Sequence, residues 1–139
     1  MDAATHSSSS IRSQRVVFIR HGVAQHNVVQ SGQTINLQSE DLWDTSLVPE
    51  GKRQAVAVGE AVTQALHSIE LVVVSPLTRC LQTATLAFPP PGSYSSPPTQ
   101  FVCHEMTREA YGVHYPDKRR SATVLKVRSY MQPRMESAL

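Results

Sequence analysis

The sequence predicts an α/β fold with a doubly wound, mainly parallel sheet. Three observations lead there. Residues 15–19 (RVVFI) and 71–74 (LVVV) are short apolar runs without polar alternation, as in strands covered on both faces. Between and after them lie stretches whose apolar residues recur at helical spacing. Strand and helix therefore alternate, which calls for parallel strands joined by right-handed crossovers.

The elements follow in order. Residues 1–14 are Ser-rich and lack an apolar core, so a disordered tail is expected rather than a secretory signal. A single domain is expected over 15–128, beginning with the strand at 15–19. Residues 25–42 are polar and irregular. A helix is expected over 49–67, with Pro49 at its first position and Ala55, Val58, Val62 and Ala65 as its apolar stripe. After the strand at 71–74, Ser75 is expected to cap a second helix and Pro76 to open it. Its stripe is Leu77, Leu81, Ala84 and Phe88, and Pro89 ends it. Residues 89–98, rich in Pro, Ser and Gly, read as an exposed loop. A third strand is expected at 100–104, a loop over 105–121, a short helix within 122–131, and a weakly ordered tail at 129–139.

Composition narrows the function. The net charge of +2 is too small to argue for nucleic acid, and no stretch approaches the ~20 apolar residues of a membrane span. The densest basic cluster, Lys118-Arg119-Arg120, suits a small anion. Two cysteines, Cys80 and Cys103, make no disulfide scaffold and fit a reducing, cytoplasmic setting. Cys103-His104 has no second Cys/His pair at ligand spacing, so no metal site is expected.

Ligands of open α/β sheets bind at the carboxyl ends of the strands. Arg20-His21-Gly22 follows the first strand, and Ser75 with Arg79 follows the second. Both clusters are therefore expected on one edge of the sheet. A neutral imidazole can attack phosphorus and form a phosphohistidine. The phosphoryl charge lies on three oxygens, which Arg20 and Arg79 suit as bidentate donors. Gly22 would allow close approach and lend an N–H, and Asn27 its side-chain amide. The leaving oxygen needs a proton, which calls for a carboxylic acid.

These residues resemble the histidine phosphatase superfamily, which includes the cofactor-dependent phosphoglycerate mutases. Arg20-His21-Gly22 with Asn27 matches its signature, so the resemblance implies that His21 is the nucleophile. Leu47, Pro49-Glu50-Gly51 and Gln54-Ala55 resemble its LTPEGxxQA helix start. Ser75-Pro76-Leu77, Arg79-Cys80 and Gln82-Thr83-Ala84 resemble its SPLxRCxQTA segment, which gives Arg79 the second phosphate-arginine role. Arg108-Glu109 before Tyr111-Gly112 resembles the general-acid segment, implying Glu109, with Glu105 as fallback. Arg119 and Arg120 resemble a pair that binds the substrate's anionic end in the mutase branch; a solvated basic turn is an equal reading. The implied fold is phosphoglycerate mutase-like, and the implied chemistry needs no metal or cofactor.

Three departures matter. Val23 and Ala24 stand where mutases carry polar residues, which favours a phosphatase. Val48 stands at the helix cap where the family has Thr or Ser. The family's second catalytic histidine sits in a turn after a later strand. None of His67, His104 or His114 has that context, and His26 lies within the first motif. A truncated fold is therefore expected, with turnover impaired. The expected function is hydrolysis of a small phosphate monoester through phospho-His21. The alternative is a non-catalytic module that binds phosphate. Self-association through an unpaired sheet edge is also expected.

Overall fold

The computed structural model describes residues 14–28, 34–66, 69–88 and 99–128. The expected loop at 89–98, the tail at 129–139 and all of the N-terminal tail but Gln14 lie outside them.

The helix α1 spans Pro49–Ala65. Pro49 sits in its first turn, where the missing N–H costs nothing. Val48 occupies the cap position and makes no side-chain cap bond. The strand β1, Leu71–Val74, pairs in parallel with β2, Gln100–Cys103, in the register Leu71↔Gln100 to Val74↔Cys103. Between them lies α2, Thr78–Ala87, and a short helix α3 spans Ala122–Arg128. The β1–α2–β2 crossover is the parallel unit that the alternating pattern predicts. Two apolar clusters hold it. Val74, Leu81, Ala84 and Leu125 join β1, α2 and α3, with Cys80 and Cys103 packed alongside. Ala24, Leu47 and Ala55 join the loop after residue 20 to α1.

The first expected strand does not form. Residues 15–19 have no ladder partner among the described residues; Val16 is 69% and Phe18 92% exposed. An apolar run supplies side chains for a strand, but only a neighbouring backbone makes it one. The described sheet is accordingly two-stranded rather than a doubly wound one.

The helices also differ in detail. α2 begins at Thr78, two residues beyond the expected Pro76. Its cap comes from elsewhere in the chain: the Asp44 carboxylate accepts bonds from Thr78 N (2.8 Å) and Thr78 Oγ1 (2.7 Å). The buried face of α1 is made of Gly51, Ala55 and Gly59; Ala65, expected in its stripe, is exposed. Gly59 lies against the Ala87 carbonyl at the end of α2, so close that a Cβ there would overlap it. Glycine thus sets the distance between α1 and α2.

Candidate active site

The loop after residue 20 is clamped from three sides. An antiparallel bridge joins Ala24 to Leu47, with Val48 N donating to Val23 O and Gln25 N to Ser46 O, both at 3.0 Å. Gln54 Oε1 of α1 accepts from Val23 N at 3.0 Å. Gln82 Oε1 of α2 accepts from Leu47 N at 2.8 Å. Gly22 N donates to Thr83 Oγ1 of α2 at 3.2 Å. A side chain at position 22 would overlap the Gly51 carbonyl of α1. The absent Cβ of Gly22 is therefore used for packing the loop on α1, and its N–H is engaged with α2.

The clamped loop and the first turn of α2 meet over an open cleft of about 240 Å³. Arg20, His21, His26, Leu37, Arg79, Glu109, His114, Pro116 and Asp117 line it. His21 Nδ1 lies 2.8 Å from the Gly22 carbonyl oxygen. A carbonyl only accepts, so Nδ1 carries the proton and Nε2 keeps its lone pair. Burial lowers the His21 pKa below its ordinary value. The Gly22 hydrogen bond opposes this, Arg79 and Arg20 add to the lowering, and Glu109 pulls the other way. The imidazole is neutral at neutral pH and holds its lone pair among cationic groups.

Arg79 is the most deeply set of these groups, 2% exposed. One guanidinium nitrogen donates to the Pro116 carbonyl at 2.6 Å. The other pairs with Asp117 Oδ1 at 2.9 Å. Its Nε is buried with no hydrogen-bond partner among the described residues. A buried, unpaired guanidinium donor is costly, and an anion oxygen is the partner that best satisfies it.

Known proteins resemble this chain in sequence. The family model of the histidine phosphatase superfamily (branch 1) matches residues 16–97. A "phosphoglycerate mutase-like protein" of Arabidopsis thaliana is 33% identical, over 83% of this chain and 51% of its own. The chain belongs to the histidine phosphatase superfamily. A "probable phosphoglycerate mutase" of Arthroderma benhamiae is 31% identical over 87% of this chain and 41% of its own. A "probable phosphatase" of Schizosaccharomyces pombe is 32% identical over 52% of this chain and 31% of its own. The chain thus spans about half the length of these curated relatives or less. No solved structure gives a significant match.

Within this histidine phosphatase fold, the matched segment carries Arg20, His21, Gly22, Asn27 and Arg79, but stops before Glu109. The structure brings Arg20, His21, Arg79 and Glu109 to one cleft. Asn27 does not line it; its Oδ1 accepts from Ala24 N at 3.0 Å and closes the 3-10 turn Gln25–Asn27. Glu105 is engaged by Arg108 at 3.2 Å and by Arg119, away from the cleft. Arg119 is held by that pair, and Arg120 donates to the Trp43 carbonyl at 2.9 Å while its guanidinium stacks on the Trp43 ring. Neither lines the cleft. His104 caps the turn Glu105–Thr107 through Nδ1, 3.2 Å from Met106 N. Among the described residues no group of His, Cys, Asp and Glu is gathered to hold a metal, and no helix is long and apolar enough to cross a membrane.

Four residues that line or support the cleft escaped the sequence reading. His26, His114 and Asp117 line the cleft, and Asp44 fixes the helix that carries Arg79. Spacing signals only His26, five residues past His21 within one loop. The others reach the site through contacts distant in sequence.

Proposed function

We propose that this histidine phosphatase chain hydrolyses a small phosphate monoester through a phosphohistidine at His21. The observation that carries the reading is the His21 Nδ1–H bond to Gly22 O, which leaves Nε2 as a nucleophile beside two arginines and a carboxylate. In the first step the Nε2 lone pair forms a bond to phosphorus. The ester P–O bond breaks, and the departing oxygen takes a proton from the Glu109 carboxylic acid. In the second step water attacks phosphorus, Glu109 takes its proton, and the P–N bond returns its electron pair to Nε2. Arg20 and Arg79, which both line the cleft, stabilise the oxygens throughout.

Two features support phosphatase over mutase action. Val23 and Ala24 offer no polar side chain, and Ala24 is fully buried under the bridge to Leu47. Arg119 and Arg120, which could have bound a second anionic end, are engaged elsewhere. A second reading, phosphate binding without turnover, draws on the Arg79–Asp117 pair, which already partly neutralises the deepest cation.

The test uses the 139-residue chain with p-nitrophenyl phosphate. Phosphate release is expected, with acid-labile, base-stable label on His21 and loss of both in His21→Ala. Phosphate binding with no phosphoenzyme would favour the second reading. Undiminished turnover in His21→Ala would overturn the mechanism.

A further inference from the structure

Two histidine rings in the cleft, those of His26 and His114, have no part in the mechanism above, and His26 is the nearer in sequence to His21. His26 lies in the turn Gln25–Asn27, which brings its ring to 5.9 Å from that of His21, the planes tilted by 58°. It lines the same cleft as Arg20, Arg79 and Glu109. Its Nδ1 is hydrogen-bonded to Thr45 Oγ1, and Thr45 is only 2% exposed, so the ring is anchored from the protein side. Among the described residues no hydrogen bond engages its Nε2.

Burial, chiefly, lowers the His26 pKa to about 4. Arg79, His21 and Arg20 contribute to this lowering, and Asp117 opposes it. The ring is therefore neutral at neutral pH, and one nitrogen alone carries a proton. When the Thr45 hydroxyl donates to Nδ1, that proton sits on Nε2. A third cation beside Arg20 and Arg79 would be repelled by both. A neutral N–H adds a donor without that repulsion.

We propose that His26 Nε2–H donates a hydrogen bond to an oxygen of the phosphoryl group held by Arg20, His21 and Arg79, which makes His26 a further catalytic residue. The proposal rests on the phosphoryl-transfer reading. In the transition state charge spreads over three equatorial oxygens, and the two arginines leave room for a third directed donor.

The test compares inorganic phosphate with orthovanadate, a tetrahedral anion that becomes five-coordinate on a bound nucleophile and so mimics the transferring group, by calorimetry on the full chain. In His26→Asn the amide reaches the Nδ1 position and keeps Thr45, but the inner donor is gone. In His26→Gln the amide reaches the Nε2 position. His26→Asn is expected to lose about tenfold or more in vanadate affinity, with a smaller loss for phosphate, and His26→Gln to recover most of it. Vanadate should also shift the Nε2–H resonance of His26 in the wild-type chain labelled with 15N-histidine. Unchanged vanadate affinity in His26→Asn, with binding still abolished by Arg79→Ala, would overturn the role of His26 alone. So would an unmoved Nε2–H resonance with vanadate bound, even if both variants unfold. Wild-type chain that binds neither anion would overturn the phosphoryl-transfer reading itself, and the role with it.

Discussion

At His21 one hydrogen bond decides which nitrogen can react, and burial decides that it is unprotonated. A lowered His21 pKa keeps the imidazole lone pair free on the acid side of the ordinary histidine value, and in the proposed mechanism that lone pair is the nucleophile. The acid limb of kcat/KM should therefore fall below pH 6.5, the ordinary histidine value, and a limb above it would contradict the burial argument. His26 makes a related prediction for stability. Its folded pKa is about 4 against an ordinary 6.5, so between these values the unfolded chain binds the extra proton. Its contribution is fully present above pH 6.5 and is lost as the pH falls towards 4. Thermal melts should show a Tm that declines across that window, and His26→Asn should flatten the decline. Asp117 neutralises Arg79 in the absence of ligand and competes with any anion for it. Asp117→Asn should cost roughly 1–3 kcal/mol of stability, because a buried guanidinium loses its charged partner. It should also enlarge the Tm rise on adding phosphate. Loss of the phosphate response would instead mean that Asp117 positions Arg79 rather than competing for it.

At the level of elements, the site depends on how α2 begins. Its cap residue, Leu77, has no side-chain acceptor, and the Asp44 carboxylate takes that role from a distant loop. Asp44 has φ 50°, the left-handed region that Asp tolerates better than alanine. Asp44→Ala should cost about 1–2 kcal/mol for the cap and about 1 kcal/mol more for alanine at positive φ. Because Arg79 lies one residue into the helix, phosphate affinity should fall as well. Unfolding curves and phosphate titrations on one preparation would separate the two effects. Gly59 tests the packing of α1 on α2. A Gly→Ala change in a helix is favourable by about 1 kcal/mol on propensity. Here the added Cβ meets the Ala87 carbonyl, and overpacking costs roughly 1–3 kcal/mol. Gly59→Ala should therefore destabilise. Gly112, with nothing near its missing Cβ, should accept alanine without that penalty.

At the level of the whole molecule, the segment at 16–18 is apolar and exposed, and Leu71 and Val73 of the two-stranded sheet are themselves half exposed. Open strand edges and apolar side chains of this kind recruit further strands. The chain alone is expected to associate with itself, with a mass in sedimentation that rises with concentration. Phe18→Lys should reduce that association, since Phe18 is the most exposed of these side chains. A concentration-independent monomer would show that the segment is satisfied in another way.

The β1–α2–β2 crossover, the span of α1 to within two residues and the meeting of Arg20, His21 and Arg79 are legible in the residues, and the family resemblance adds Glu109 to that meeting. The crossover and α1 follow from local apolar pattern, for which short-range information suffices, and the cleft residues follow from the family motif, although no strand precedes Arg20 and His21 among the described residues. The sequence reading misjudged residues 15–19, because apolar character does not provide a hydrogen-bonding neighbour. It also started α2 at Ser75-Pro76, although the acceptor that caps the helix is Asp44, 34 residues from Thr78. Gly22 and Asn27 were assigned to phosphate from their place in the motif. Only the fold could show Gly22 pressed against α1 and α2 and Asn27 closing its own turn. The tertiary structure alone decided that His26 and Asp117 enter the cleft while Arg119 and Arg120 turn to Glu105 and Trp43. A long charged side chain goes to whichever partner the packed chain offers, and that choice depends on contacts no local window contains.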